Sequence, residues 1–167
     1  MSKNGGIIGI SDHGGWAVLV TVARDGTLLD RRRVELVDEN LPSLPHHHEG
    51  QLLPMDGAVA LRSCPQLPAT IAERIKDYRA RNVADWVMYR KALASAAQAR
   101  GWPMHWYDAK TVLGAASQAL HVEDFDAHFL QARRAVGPPW NKDHKLALAA
   151  AIVTAAALSE TPDRGAC

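Results

Sequence analysis

The turn between the first two apolar segments constrains the fold more than any other part of the chain. An apolar run at residues 7–10 is followed by the polar and flexible residues 11–15, and then by a second apolar run at residues 16–22. Short apolar runs that are bounded by glycine and polar residues are typical of buried β-strands. The sequence therefore predicts a hairpin of two buried strands with polar side chains at its bend.

A third strand is predicted over residues 27–37, because the preceding Asp25-Gly26 is a strong hairpin-turn signal. The consecutive Arg31, Arg32 and Arg33 place charge on both faces of this strand. That pattern favours an edge strand protected from aggregation, and the alternative is a phosphate-binding patch. Strand patterns near residues 58–61 and 103–107 then alternate with helical patterns. The expected fold class is α/β, with a mixed sheet that opens as an antiparallel three-stranded meander, continues in parallel strands and has flanking helices.

Apolar residues at helical spacing indicate the flanking helices. Residues 69–100 contain neither proline nor glycine, which predicts one long helix or two helices with a bend near Asn82. Further helices are predicted over residues 110–120, 124–136 and 145–158, and Asn141 is a candidate cap for the last of them. We expect a single domain over residues 1–158 and a flexible polar tail over residues 159–167.

Composition limits the classes of function. The chain has 167 residues, 47% of them apolar, which is enough for one domain with a substantial core. Its formal net charge of +1 provides no overall field for nucleic acid, so a nucleic-acid site must be a local patch. The two cysteines form no disulfide framework, and no apolar run reaches the roughly 20 residues of a membrane span. We expect a cytoplasmic protein without membrane contact.

The opening resembles that of the RuvC-type Holliday-junction resolvases, which belong to the ribonuclease H-like superfamily. Their first strand reads I-I-G-I-D-P-G and leads to G-W; here residues 7–14 read IIGISDHG and are followed by Gly15-Trp16. Residues 105–112 resemble the family's fifth strand and the turn after it, and Asp143-His144 resembles the start of its metal-binding last helix. The resemblance implies a ribonuclease H-like fold, a divalent metal cofactor and nuclease activity on nucleic acid.

The sequence departs from the family's pattern at two acidic positions. Aligned without a gap, the family's metal-binding aspartate falls on Ser11, and the neighbouring Asp12 points to the opposite face unless the turn contains a bulge. The family's glutamate near the end of the fourth strand has no counterpart, since Arg62 is the charged residue there. The catalytic acids that we expect are Asp12 and Asp143, whereas a two-metal nuclease needs about four converging carboxylates.

Histidines accompany these acids at the end of the sheet where the proposed fold places the hairpin bend. The first strand ends there and the third strand exits there, so the histidine-rich loop over residues 38–54 can approach the bend. Nitrogen and oxygen ligands together suit zinc, manganese or iron. The expected cofactor is a divalent ion such as Mg²⁺, Mn²⁺ or Zn²⁺. The alternatives are a solvated loop and, for Asp143, an acid that complements the helix dipole. The predicted metal ligands are Asp12, His13, His47, His48, Glu49, Asp143 and His144.

Three classes of function stay open at this point. The first is a metal-dependent nuclease or hydrolase that acts on nucleic acid. The second is a catalytically degenerate ribonuclease H-like module that binds nucleic acid or a protein partner, in which nuclease activity is weak or absent. A relative of the actin-fold kinases is a third class, which the short chain disfavours. The candidate partners are nucleic acid and a second copy of the chain in a homodimer.

Overall fold

The structure is a computed structural model that describes residues 5–13, 15–36 and 57–160. These residues contain five strands and five helices. The strands are β1 (Ile7–Asp12), β2 (Trp16–Val22), β3 (Leu28–Glu35), β4 (Ala58–Arg62) and β5 (Met104–Tyr107). The helices are α1 (Ile71–Lys76), α2 (Tyr78–Ala99), α3 (Val112–Ala119), α4 (Phe125–Val136) and α5 (Lys142–Glu160). None of these helices is both long enough and apolar enough to cross a membrane.

The strands form one mixed sheet in the order β3-β2-β1-β4-β5. Strand β2 pairs antiparallel with both β1 and β3, whereas β4 pairs parallel with β1 and with β5. This arrangement confirms the predicted α/β class and the order of meander and parallel strands. Strand β1 lies at the centre of the sheet, and every one of its residues is buried.

Alternation along β1 divides the core into two layers. Ile7 packs in the layer that contains α5, while Ile8 and Ile10 pack in the layer that contains residues of α2. Successive side chains of a strand point to opposite faces, so the residues with odd numbers in β1 face α5 and those with even numbers face α2. This parity decides which side chains of the hairpin bend can meet the start of α5.

Helix α5 lies directly against the backbone of β1 at Gly9. A Cβ atom at this position would lie 1.8 Å from the carbonyl oxygen of Ala147 and 2.9 Å from the backbone nitrogen of Ala151. Both alanines are buried, so small side chains on the helix and the missing side chain on the strand allow the two backbones to touch. The contact sets the position of α5 along β1.

The long helical pattern is interrupted at Asp77, and the predicted bend near Asn82 is wrong. The backbone of Asp77 is extended, with φ −87° and ψ 110°, and its carboxylate accepts a hydrogen bond from the backbone N–H of Ala80 at 3.1 Å. An aspartate that caps the following helix competes with continuation of the preceding one. The chain therefore ends α1 at Lys76 and begins α2 at Tyr78.

The last helix begins at Lys142, because Asn141 caps it as the sequence predicts. The side-chain oxygen of Asn141 accepts from the backbone N–H groups of Asp143 at 3.0 Å and of His144 at 3.3 Å. This cap satisfies two of the N–H groups that a helix start leaves without partners. Helix α5 continues to Glu160, and the rest of the expected tail, residues 161–167, lies outside the described residues.

Strand β3 is an edge strand of the described sheet, and its arginines interact with neighbouring groups. Arg32 pairs with Asp30 at 2.6 Å, and Arg33 pairs with Glu35 at 2.9 Å. Arg31 donates to the backbone carbonyls of Pro138 and Pro139, just before the start of α5. The arginine-rich strand thus holds the segment that leads into the last helix.

We expect Gly9→Ala to destabilise the protein by about 3 kcal/mol or more, because the new Cβ overlaps the backbone of α5 and neither element can shift cheaply. The matched control is Gly114→Ala in α3, where nothing lies within 4 Å of the added Cβ. That change should stabilise by about 0.5–1 kcal/mol, since glycine is unfavourable inside a helix. Urea unfolding of both variants measures the difference, and equal stability of the two would contradict the proposed contact.

Candidate functional site

The ends of the three parallel strands and the start of α5 meet at one side of the sheet. We call this side the carboxyl edge and define it by Asp12, Arg62 and Tyr107, the last residues of β1, β4 and β5. Ligands of open α/β sheets commonly bind beyond the carboxyl ends of the strands. The polar side chains at the carboxyl edge are therefore the first candidates for a functional site.

Ser11 and Asp143 meet at the carboxyl edge. The hydroxyl of Ser11 donates to Oδ1 of Asp143 at 3.3 Å. Ser11 lies on the α5 face of β1, two residues beyond Gly9, and Asp143 lies one helical turn before Ala147. Because α5 runs opposite to β1, the close contact at Gly9 brings Ser11, two residues later in the strand, to Asp143, one turn earlier in the helix. The ungapped alignment places the family's metal-binding aspartate at this serine.

The side chain of His13 completes this cluster. Its imidazole stacks on the ring of Trp16, with the ring centroids 3.9 Å apart and an interplanar angle of 9°. The guanidinium of Arg33 lies over the same tryptophan ring, 4.1 Å from its centroid. Nε2 of His13 lies 3.1 Å from Oδ1 of Asp143. The two groups are not aligned for a hydrogen bond. This buried Nε2 therefore has no hydrogen-bond partner among the described residues.

Asp12 does not join the cluster, although the sequence placed it there as a catalytic acid and metal ligand. Its carboxylate accepts from Nε of Arg90 at 2.9 and 2.8 Å, and Arg90 also donates to the carbonyl of Ser63 at 2.9 Å. The β1–β2 register continues without a shift to the pair of Asp12 and Ala17, so no bulge turns the acid around. Period-two alternation therefore directs this carboxylate to the α2 face.

His144 lies beside the cluster with a different set of contacts. Its Nδ1 is 2.7 Å from the side-chain oxygen of Asn141, and its ring is tilted against that of Trp140 at 5.3 Å. Burial lowers the pKa of His144, the charge of Arg31 lowers it further, and Asp143 opposes both effects. The imidazole is therefore held neutral as part of the helix cap. The other predicted ligands, His47, His48 and Glu49, lie outside the described residues.

Arg62 and Tyr107 lie on adjacent strands at the carboxyl edge. The hydroxyl of Tyr107 donates to the carbonyl of Ile10 at 2.8 Å. Burial raises the pKa of Tyr107 and the charge of Asp12 raises it further, so the phenol stays neutral and serves as a donor. Arg62 is half-buried, and within the described part of the chain its guanidinium makes no ion pair or hydrogen bond.

Sequence reasoning missed Arg90, the partner of Asp12. The buried residues of α2 are Ala80, Val87, Arg90 and Ala97, which recur at helical spacing. An arginine at such a position lies on the apolar face of its helix, where a charge is rarely buried without a partner. The sequence carried no clear signal for this face, however, because the large apolar residues Tyr78, Trp86 and Met88 of the same helix are exposed.

The cluster does not fit the pair of divalent ions that the resemblance implies. Two-metal sites hold their ions with several carboxylates. In residues 5–13, 15–36 and 57–160, no group of three or more histidine, cysteine, aspartate and glutamate side chains is placed to hold a metal ion. On the α5 face of the carboxyl edge the carboxylate of Asp143 meets the imidazole of His13 and the hydroxyl of Ser11.

The chain is similar to known proteins in its three-dimensional structure. No family model and no curated protein sequence matches the chain. A structure of T. thermophilus RuvC in complex with Holliday junction substrate matches with a TM-score of 0.55 and 18% identity, over 95% of this chain and 97% of that one. A Thermus thermophilus RuvC structure matches with a TM-score of 0.51 and 19% identity, over 92% of this chain and 95% of that one.

The chain has a RuvC-like, ribonuclease H-like fold. The resemblance in the first strand and last helix is thereby confirmed at the level of the fold. At the carboxyl edge of this fold Ser11 and His13 contact Asp143, and Arg62 ends the neighbouring strand β4. The chemistry of the edge has to be argued from these side chains.

We expect Arg90→Met to destabilise the protein by about 3–5 kcal/mol, because it leaves the buried carboxylate of Asp12 without its partner. Adding Asp12→Leu should recover most of this loss, since an apolar pair replaces the buried ion pair. Urea unfolding of the single and double variants measures both effects. If Arg90→Met were as stable as the wild type, the ion pair would have no structural role.

We expect stability to fall between pH 7 and pH 5, partly because of His144. Its pKa in the folded protein lies below its ordinary value of 6.5, so the unfolded chain takes up the proton first as the pH falls. The stabilisation is therefore complete above pH 6.5 and decreases as the pH approaches the lower folded value. His144→Gln should flatten this dependence, measured as denaturation midpoint against pH, while His121→Gln at an exposed position should leave it unchanged.

Proposed function

We propose that this chain is a RuvC-like module that binds nucleic acid and in which two-metal cleavage is weak or absent. The contact between Ser11 and Asp143 carries the proposal, since a neutral hydroxyl occupies the place on β1 where the resemblance expects a carboxylate. Hard divalent cations are held mainly by charged oxygen ligands. A site with one such ligand binds these ions weakly, and the positive charge of Arg62 on the same face opposes them further.

Two observations support nucleic acid as the ligand class. One of the similar RuvC structures is a complex with Holliday junction substrate, which makes a four-way DNA junction the first ligand to test. Arg62 also presents positive charge beside the cluster, whereas Arg33 is paired with Glu35. Local basic groups suffice for phosphate contacts in a chain of near-neutral charge. The binding surface that we propose is therefore the carboxyl edge itself.

A single-ion hydrolase is the second candidate, and the orientation of His13 favours it. Its buried Nε2 has no hydrogen-bond partner among the described residues and lies 3.1 Å from the carboxylate of Asp143. An imidazole and a carboxylate are suitable ligands for one zinc or manganese ion whose other positions hold water. In that case His13→Ala should lower metal stoichiometry in tag-free protein, while His121→Ala should not.

The proposed function predicts that wild-type protein binds a labelled four-way junction in EDTA and does not cleave it efficiently in Mg²⁺ or Mn²⁺. Restoring the acids with Ser11→Asp and Arg62→Glu should lower stability without metal, because like charges then crowd Asp143. Mn²⁺ at ten times its dissociation constant should restore about 1.4 kcal/mol to that double variant by mass action. Calorimetric titration and thermal unfolding measure both changes.

The matched control for this experiment is Ser95→Asp with Arg79→Glu, which makes the same chemical changes at exposed positions of α2. It should gain no affinity for Mn²⁺, since no other acid of the cluster lies near it. Efficient Mg²⁺-dependent cleavage by the wild type that Asp143→Asn abolishes would contradict the proposal and establish a nuclease. Absence of nucleic-acid binding under all conditions would reject the binding function itself.

A further inference from the structure

We propose that the guanidinium of Arg62 binds a backbone phosphate of the nucleic acid in a contact that needs no divalent cation. The inference rests on the proposed function and deepens it, because it names the group that recognises the ligand. The contact would lie at the carboxyl edge, on the face that β1 and β4 turn toward α5.

The sheet register places Arg62 beside the cluster. Gly9 of β1 is paired with Ala60 of β4, so two residues further along each strand Ser11 and Arg62 are neighbours on the same face. Ala58 and Ala60 pack in the layer of α5, which identifies that face for the even-numbered residues of β4. All residues of β4 before Arg62 are buried, whereas Arg62 itself is half-buried. Its side chain thus begins at the core and ends where solvent reaches the edge.

The positive charge of Arg62 is not compensated by either nearby aspartate. Asp143 already accepts from Ser11 and faces His13, and Asp12 is paired with Arg90 on the opposite face of the sheet. Arg62 lies near enough to the hydroxyl of Tyr107 to act on it electrostatically, as does Asp143 with the opposite sign. The arginine is therefore within the field of the cluster without forming an ion pair there.

Phosphate is the ligand that such a group recognises best. A guanidinium presents several N–H donors in a planar fork that matches two phosphate oxygens, and its charge is constant at every accessible pH. An anion at this position replaces the solvent around a cation that has no ion-pair partner in residues 5–13, 15–36 and 57–160. It also approaches Asp143, whose negative charge repels it.

The charge of Asp143 has opposite effects on phosphate affinity in a metal-bridged site and in a site formed by Arg62 alone. In a metal-bridged site Asp143 holds the ion, so loss of its charge weakens binding of the phosphate. In the arginine site the carboxylate only repels the phosphate, so Asp143→Asn leaves affinity equal or higher. The sign of this one substitution separates arginine recognition from metal recognition.

The experiment measures binding of a fluorescent four-way DNA junction to the full chain in EDTA, over a series of salt concentrations. We expect Arg62→Gln to weaken binding about tenfold, as loss of a charged hydrogen-bonded contact does. It should also reduce the slope of log affinity against log salt by about 0.9, which corresponds to one phosphate contact. Arg79→Gln removes the same charge from an exposed position on the α2 side of the sheet and should change neither quantity.

Two further variants complete the test. Arg62→Lys keeps the charge and loses the planar fork, so it should retain the salt slope with a smaller loss of affinity than Arg62→Gln. Asp143→Asn should bind at least as tightly as the wild type. Circular dichroism and thermal unfolding establish that each variant is folded. If Arg62→Gln does not fold, the affinity and salt slope of Arg62→Lys decide the test.

The outcomes separate this inference from the proposed function. Unchanged affinity and salt slope in Arg62→Gln, or an equal loss in Arg79→Gln, would overturn the inference while nucleic-acid binding stands. Binding that requires Mg²⁺ and is lost in Asp143→Asn would overturn it in favour of a metal-bridged site. If the wild type binds the junction neither in EDTA nor in Mg²⁺, the proposed function and the inference are both rejected.

Discussion

The backbone contact between β1 and α5 at Gly9 determines where the polar groups of this protein meet. Two residues of a strand advance about 6.6 Å and four residues of a helix about 6 Å, so elements that touch at Gly9 and Ala147 bring Ser11 and Asp143 together at the next step. The alanines of α5 make this approach possible, because larger side chains would hold the helix further from the sheet. The site therefore depends on a contact that contains no functional group.

Two neighbouring residues of β1 consequently have separate roles. Ser11 faces α5 and belongs to the polar cluster, whereas Asp12 faces α2 and forms a buried ion pair with Arg90. That ion pair links the end of β1 to α2 and, through the carbonyl of Ser63, to the end of β4. Such a pair is costly to break from one side, since the remaining charge stays buried. The acid that looks catalytic in the sequence is thus part of the scaffold that supports the carboxyl edge.

The chemistry of the carboxyl edge follows from its charges. On its α5 face the carboxylate of Asp143 contacts an imidazole and a hydroxyl, and the guanidinium of Arg62 belongs to the neighbouring strand, so this face has fewer acids than a paired-metal site needs. Phosphate recognition by arginine supplies positive charge without a cation that several acids would have to hold. The RuvC-like fold accommodates this change because its sheet and last helix are set by apolar packing, which does not require any particular residue at the edge.

The sequence alone determined the sheet and most of its helices, because apolar periodicity and turn residues act locally. The meander, the parallel strands and the cap at Asn141 all follow from such patterns, whereas the likeness of the first strand to RuvC-type resolvases rests on the identity of individual residues. Only the tertiary structure decided which side chains meet. The break at Asp77 depends on a cap competing with a continuous helix, and the pairing of Asp12 with Arg90 joins residues 78 positions apart. A strand's alternation tells which residues share a face, but the identity of the element covering that face depends on how the whole chain packs.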